Sequence, residues 1–283
     1  MDLDLFVSAL RLAAPLLFAA LGGVLSERSG VVNIALEGKL LAGAFAAAVV
    51  THATGNPILG ILGAAAGGAL VGLLHATFCV LFRGEQIVVG VALNLLVLGV
   101  TQFAMRVLYG SSANTPTFPT RGFDVALVAA ALVAVPVIHL LLARTRFGLR
   151  LHATGEHPEA VESLGVDPIR TRFAAVVLAG AVAGLGGAFL ALSASQFVKN
   201  MSAGRGYLAL AAVIFGKWRP LGAAAACLFF GIAEAVQIRL QGQGVPTQFV
   251  QMIPWILTMV ALAGFVGRSR PPKALGVPYT GEK

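Results

Sequence analysis

The sequence has 283 residues, of which 58% are hydrophobic and 11% are charged, whereas a soluble globular domain carries about 25% charged residues. The net charge of +8 would suit nucleic acid, but most basic residues flank apolar runs instead of forming one patch, which argues against that partner. Because the apolar runs can cross a bilayer core of about 30 Å, we expect an all-α, polytopic transmembrane helical bundle with about eight to ten spans.

Nine apolar segments follow one another along the chain, and two of them are unusually short. The segments cover residues 5–25, 40–50, 58–82, 87–109, 125–143, 173–195, 207–215, 221–238 and 249–266. Short, glycine-interrupted segments in different halves of a chain indicate broken helices around a transport path. Residues 26–50 and 207–215 are therefore predicted to contain broken or re-entrant helices, with ordinary loops as the alternative for either.

The basic residues predict how the chain is oriented. With the N-terminus outside, the inner connections and the tail hold fourteen Lys and Arg residues and the outer connections hold four. Since basic residues accumulate on the cytoplasmic side, the long loop, residues 144–172, and the C-terminus are expected to be cytoplasmic. The chain is thus divided into a transmembrane domain, residues 1–267, and a cytoplasmic basic tail, residues 268–283.

One short helix is predicted within the long loop. Pro158 suits a first helical position, Glu159 suits the positive end of the helix dipole, and Gly165 suits the left-handed position after a helix. A two-turn helix is marginal in water on its own. We therefore expect contacts with the spans or with another protein to hold it; an ordinary charged loop is the alternative.

No catalytic or metal-binding constellation is recognised in the sequence. The nearest approach to a nucleotide-binding phosphate loop, at Gly38-Lys39-Leu40, fails because position 33 is Asn and Leu follows the Lys. The five His residues are scattered, and none forms a His-Glu-x-x-His motif. We expect neither catalysis nor a bound metal or other cofactor on this chain.

Polar residues inside spans are costly and usually face the protein interior. The set is Asn33, Glu37, Asn94, Gln102, Arg106, Glu234, Gln237 and Gln251. Asn94 and Gln102 share a helix face, and neutral amides suit hydroxyl-rich or heterocyclic ligands because they both donate and accept. Hydrogen bonds between helices are an equally good explanation. Gly-x-x-x-Gly motifs beginning at Gly63, Gly68 and Gly180 predict close helix packing.

Three segments carry a resemblance to a known family. They are SERSGVVNIALEG at Ser26–Gly38, the stretch Phe147–Gly165 with GEHPEA at its centre, and GRGYLALAAVIFGKW at Gly204–Trp218 followed by Pro220. Together and in this order they resemble the membrane permeases of ATP-binding-cassette (ABC) importers for nucleosides and simple sugars, relatives of the ribose and branched-chain amino acid permeases. His157 departs from the family, where Asn is commoner.

The resemblance implies a set of partners in the bacterial cytoplasmic membrane. Besides membrane lipid, they are a second, paralogous permease, an extracytoplasmic solute-binding protein or lipoprotein, and a cytoplasmic ABC ATPase that holds ATP and Mg. It also implies that the short helix docks on the ATPase. The residues assigned to that contact are Glu156, Pro158, Glu159, Ala160, Ser163, Leu164 and Gly165. Asn33, Glu37, Asn94 and Gln102 are assigned to the substrate path.

Two other functions remain open from the sequence. Branched-chain amino acids are the alternative substrate class. An ion-gradient-driven secondary transporter is the alternative mechanism. The lack of paired buried carboxylates argues against it, since Glu234 is the one acidic residue well inside a late span. An intramembrane enzyme would need a nucleophile or a metal cluster that the sequence does not offer.

Overall fold

The computed structural model describes residues 3–120, 122–241 and 270–281, together with Met252, Ile256 and Met259. Within these residues the chain forms ten α-helices and no β-strand. The helices are α1 (Leu3–Arg28), α2 (Leu36–Thr54), α3 (Pro57–Ala76, continued by a π-helical turn, Thr77–Leu81), α4 (Gln86–Tyr109), α5 (Phe123–Arg144), α6 (Arg146–Glu156), α7 (Pro158–Ser163), α8 (Pro168–Ala194), α9 (Arg205–Phe215) and α10 (Pro220–Leu240).

Parts of the sequence prediction lie outside the described residues. The undescribed part includes Arg121, Gln251, Arg268, Lys283 and most of the predicted last span, residues 249–266. Within that span only Met252, Ile256 and Met259 are described, and they are helical.

Six of the helices are long and apolar enough to cross a membrane: α1, α3 with its π-helical turn, α4, α5, α8 and α10. The prediction of an all-α, multi-pass membrane bundle is therefore confirmed. The two segments predicted to be short differ from each other. Helix α9 has 11 residues and spans about 16 Å, roughly half of a bilayer core. Helix α2 has 19 residues because it begins at Leu36 and ends at Thr54.

Helix α8 lies at the centre of the bundle, where it packs against α1, α2 and α3. The α3–α8 crossing depends on two of the predicted glycine motifs. A Cβ on Gly184 would lie 3.1 Å from the Cα of Gly68, and a Cβ on Gly72 would lie 3.2 Å from the Cα of Gly180. The two motifs therefore pack against each other, as close helix packing requires. The outer helices α4 and α5 instead expose apolar side chains such as Phe103 and Val133.

The long loop folds into two helices, one more than its sequence predicts. The unpredicted helix is α6, which begins after Thr145, whose hydroxyl oxygen accepts from the N–H of Gly148 at 3.1 Å. Helix α7 follows with Pro158 at its first position, and Gly165 has a φ of 78° shortly after its end. We call the end of the bundle that carries α6 and α7 the loop end. Residues 270–281, the tail segment, lie at this same end, since the N–H of Ala274 donates to the carbonyl of Gly155 at 2.9 Å.

Candidate functional site

The connection between α1 and α2, residues 29–35 and here called the break segment, is a mostly buried turn and not an exposed loop. Gly30 adopts a φ of 98°, and the N–H groups of Ser29 and Gly30 bond back to the last turn of α1. The N–H of Val32 donates to the side-chain oxygen of Gln86 at 2.7 Å. Irregular backbone at membrane depth requires such internal partners, because lipid offers none.

Glu27 fastens the break segment to the end of α9. Its side chain is 2% exposed, and its two oxygens accept from the backbone N–H of Asn33 at 3.2 Å and from the indole N–H of Trp218 at 2.6 Å. Next to it, the Nε of Arg28 donates to the carbonyl of Trp218 at 2.7 Å. The chain just beyond α9 is thus held by two consecutive residues of α1.

Glu37 fastens α2 to the beginning of α9. One carboxylate oxygen accepts from the hydroxyl of Ser202 at 2.6 Å and from the N–H of Gly204 at 2.8 Å. The other accepts from the N–H of Gly206 at 2.7 Å. A carboxylate at this place satisfies amides that a helix N-terminus leaves unpaired and interacts favourably with the helix dipole. The two segments predicted to be broken therefore form one unit, with a glutamate of α1 or α2 at each end of α9.

Asn94 joins this unit to α4. Its amide oxygen accepts from the N–H of Gly38 at 2.8 Å, and its amide nitrogen donates to the carbonyl of Ile34 at 3.0 Å and to the hydroxyl of Tyr207 at 3.1 Å. Gln102 is half-buried on the same side of α4, about 12 Å further along. The structure therefore brings Glu37 and Asn94 together and leaves Gln102 apart.

Asn33, Lys39 and His75 form a second polar cluster, and all three are fully buried. The ammonium group of Lys39 donates to the amide oxygen of Asn33 at 2.7 Å and lies 3.0 Å from Nδ1 of His75. Across the described part of the chain no carboxylate pairs with Lys39. Sequence reasoning missed this contact because 36 positions separate Lys39 from His75 and they lie on different helices.

A small cavity of about 190 Å³ lies beside the N-terminus of α9, between α1 and α10. Its polar lining is formed by Arg205, Glu234 and Gln237. Arg205 and Glu234 form an ion pair at 3.0 Å. A guanidinium, a carboxylate and an amide together offer both donors and acceptors to a polar solute.

Helix α7 presents a small exposed face at the loop end. Glu159, Ala160 and Ser163 are exposed, Leu164 is 82% exposed, and Val161 is buried against the bundle. Glu156 and Pro158 lie half-buried at the base of α7, so the residues assigned to the ATPase contact are adjacent in space.

Basic side chains surround a cavity of about 610 Å³ at the loop end, lined by Arg28, His139, His152, Lys217 and Arg219 among others. The guanidinium of Arg28 donates to Nε2 of His152. Partial burial lowers the pKa of His152, and the charge of Arg28 lowers it further. His152 therefore takes up a proton less readily than an isolated imidazole.

In the described ranges, no three or more His, Cys, Asp or Glu side chains come together as a metal site.

Comparison with known proteins gives consistent matches over nearly the whole chain. A family profile described as "Branched-chain amino acid transport system / permease component" matches residues 5–267. The guanosine ABC transporter permease protein NupQ of Bacillus subtilis is 40% identical over 94% of this chain and 93% of its own length. The nucleoside ABC transporter permease protein NupC of Lactococcus lactis is 36% identical over 96% of this chain and 95% of its own.

Further relatives match at lower coverage or identity. The putative glucose ABC transporter permease protein TsgC13 of Haloferax volcanii is 39% identical over 81% of this chain and 75% of its own length. Bacillus subtilis and Lactococcus lactis each have a second similar permease, NupP and NupB, both 24% identical to this chain.

Proposed function

This chain belongs to the permease family of the branched-chain amino acid transport system, and from that premise we propose that it is a membrane subunit of an ABC importer for nucleosides or related sugars. The relatives that are 36% and 40% identical are named as nucleoside and guanosine permeases, which supports nucleosides over branched-chain amino acids. The observation that carries the proposal is the exposure of helix α7. Because we expect this chain to hydrolyse no nucleotide, we assign α7 the role of docking a separate ATPase.

The proposed assembly contains a second permease, an ABC ATPase and an external solute-binding protein. The two similar permeases in each of two bacteria support pairing with a paralogue. ATP and Mg would bind the ATPase and not this chain. In this proposal the exposed residues Glu159, Ala160, Ser163 and Leu164 contact the ATPase, with Glu156, Pro158 and Gly165 shaping the base of the contact.

We also propose that the loop end faces the cytoplasm of a bacterial cell. Eleven of the described Lys and Arg residues lie in helix ends, connections and tail at this end: Arg28, Arg83, Arg144, Arg146, Arg150, Arg170, Arg172, Lys217, Arg219, Arg270 and Lys273. The opposite end carries fewer basic residues, such as Arg106 and Lys199. The asymmetry supports this orientation because cytoplasmic connections accumulate Lys and Arg.

The substrate path is proposed to pass the N-terminus of α9. Arg205, Glu234 and Gln237 face the cavity there and are the candidates for contact with the solute. Glu37 and Asn94 would shape the path indirectly, because their hydrogen-bonding groups already hold α9 and the start of α2. Asn33 would act in the same indirect way through Lys39, and Gln102 is the candidate amide further along α4.

The test is ATP-dependent uptake by the complete complex in proteoliposomes, with Glu159→Lys as the variant. We expect wild-type complex to import guanosine, and the variant to lose both ATPase binding and uptake because the exposed charge on α7 is reversed. Asp4→Lys, the same charge change at the opposite end, is the matched control and should retain both. Retention of ATPase binding and uptake by Glu159→Lys would refute the docking assignment, and uptake of leucine but not guanosine would refute the substrate class.

A further inference from the structure

The tail segment is bonded to the loop end through its backbone. Besides the contact from Ala274 to Gly155, the N–H of Gly276 donates to the carbonyl of Gly30 at 3.1 Å. Ala274 and Tyr279 are each only 8% exposed. The described part of the predicted basic tail, residues 268–283, packs on both the break segment and α6.

Arg172 lies at the junction of three elements and is 2% exposed. From the first turns of α8, its Nε donates to the carbonyl of Ser29 in the break segment at 3.1 Å. One terminal nitrogen donates to the carbonyl of Val277 in the tail segment at 2.9 Å. Its guanidinium carbon also lies 5.9 Å from the centre of the Tyr279 ring. The rigid fork of a guanidinium can bond several partners at once, which the single ammonium of a lysine does less well.

The same tail segment also contacts α7 and the residue before it. The hydroxyl of Tyr279 donates to a carboxylate oxygen of Glu162 on α7. The ammonium group of Lys273 lies 3.3 Å from Nε2 of His157, the residue that precedes α7. Helix α7 has only six residues and buries Val161 alone, so its position depends strongly on contacts outside itself.

These contacts form a continuous connection from the docking helix to the irregular part of the bundle. It runs from Glu162 to Tyr279, from the Tyr279 ring to Arg172, and from Arg172 to Ser29. The break segment then leads to Glu27 and Glu37, which hold the two ends of α9. A displacement of α7 therefore has a route to the unit formed by the break segment and α9 through two hydrogen bonds and one guanidinium–ring contact.

We propose that the tail segment, residues 270–281, is a brace that fixes α7 to the base of α8 and to the break segment, with Tyr279 and Arg172 as positioning residues that transmit movement of the ATPase into the membrane helices. This inference rests on the proposed function, since it needs the ATPase to bind α7. It assigns the tail segment a role in coupling and not in ATPase binding.

The test uses the complete transporter in proteoliposomes and measures solute imported per ATP hydrolysed. Tyr279→Phe removes only the hydroxyl that bonds Glu162. We expect this ratio to fall by up to about fivefold, because a net hydrogen-bond contribution of about 1 kcal/mol changes the equilibrium between braced and unbraced α7 by that factor. ATPase binding and the rate of ATP hydrolysis should remain at wild-type values. Tyr109→Phe, which removes a tyrosine hydroxyl at the opposite end, is the matched control and should leave the ratio unchanged.

A double-mutant cycle separates transmission from general loss of structure. Glu162→Gln with Tyr279→Phe should reduce the ratio no further than Tyr279→Phe alone, because both changes act on the same contact and Tyr279→Phe already removes it. An unchanged ratio in Tyr279→Phe would overturn the brace. Loss of ATPase binding in that variant would also overturn it, since the tail segment would then belong to the docking surface. A wild-type complex that binds no ATPase would instead show that the proposed function is wrong.

Discussion

Replacement of Glu37 by Gln isolates the carboxylate that holds the beginning of α9. The two side chains have the same shape, but Gln has one oxygen acceptor where Glu37 has two. Both oxygens of Glu37 accept hydrogen bonds, from Ser202, Gly204 and Gly206, in a site where the side chain is 8% exposed. Whichever way the Gln amide is turned, its NH₂ group faces a backbone N–H, so at least one buried donor loses its acceptor.

The expected loss of stability follows from these contacts. A hydrogen bond to a charged group contributes about 1.5–3 kcal/mol, and an anion at a helix N-terminus adds about 0.3–1 kcal/mol. We therefore expect Glu37→Gln to lower the free energy of unfolding by about 2–4 kcal/mol. Glu85→Gln is the matched control, because Glu85 accepts from the N–H groups of Ile87 and Val88 at the start of α4 but is exposed. Glu85→Gln should lower the free energy of unfolding by about 1 kcal/mol or less.

The assay is thermal unfolding of the purified chain in detergent, followed by uptake in the reconstituted complex. Glu37→Gln should unfold several degrees below Glu85→Gln and should lose uptake, because α9 is no longer held at the proposed path. If both variants unfold at the same temperature and transport alike, Glu37 does not hold α9. The assignment of the break segment and α9 to one unit would then be wrong.

Two further predictions concern packing and protonation. Gly180→Ala places a methyl group against the backbone of α3 at Gly68 and Gly72, and such overpacking should lower the free energy of unfolding by about 1–3 kcal/mol. Gly99→Ala on α4, where nothing lies within 4 Å of the added Cβ, is the control and should be neutral or slightly stabilising. Equal melting temperatures of the two variants would contradict the close α3–α8 crossing. For His152, burial and Arg28 lower the pKa in the folded state, so its contribution to stability is present above the ordinary His value of about 6.5 and is lost as the pH falls below it. The melting temperature of the wild type should therefore drop more than that of His152→Gln between about pH 7 and pH 5, and parallel curves would show that His152 is not the group responsible.

Local signals in the sequence were sufficient for the span helices and for α7. Pro158 and Gly165 identified both ends of α7 because a helix start and a left-handed residue have recognisable residue preferences. Helix α6 was missed since its charged residues conceal a short amphipathic pattern in which Gly148 and Leu151 are buried. The Thr145 cap was the one local signal that would have revealed it.

Long-range contacts could not be predicted from local patterns. The bond from Trp218 to Glu27 joins residues 191 positions apart, and the bond from Gly206 to Glu37 joins residues 169 apart. The polar residues of the break segment could therefore be recognised as interior, but their partners could not. The same holds for the tail segment, whose contacts with Gly30 and Arg172 depend on the assembled bundle.

A helix that begins inside a membrane protein needs acceptors for its first backbone N–H groups, and a buried glutamate supplies them here. At the start of α9 the N–H groups of Arg205 and Tyr207 bond to backbone carbonyls, whereas those of Gly204 and Gly206 bond to Glu37 instead. An ionised carboxylate is expensive to bury, but here Glu37 faces several donors and the positive end of α9, which offsets that cost. Because Glu37 is on α2 and not on α9, the bond also links the two halves of the chain. Opening the proposed path at α9 would therefore require these bonds to break and re-form or to move together with α2. The proposed brace on α7 would deliver such a movement.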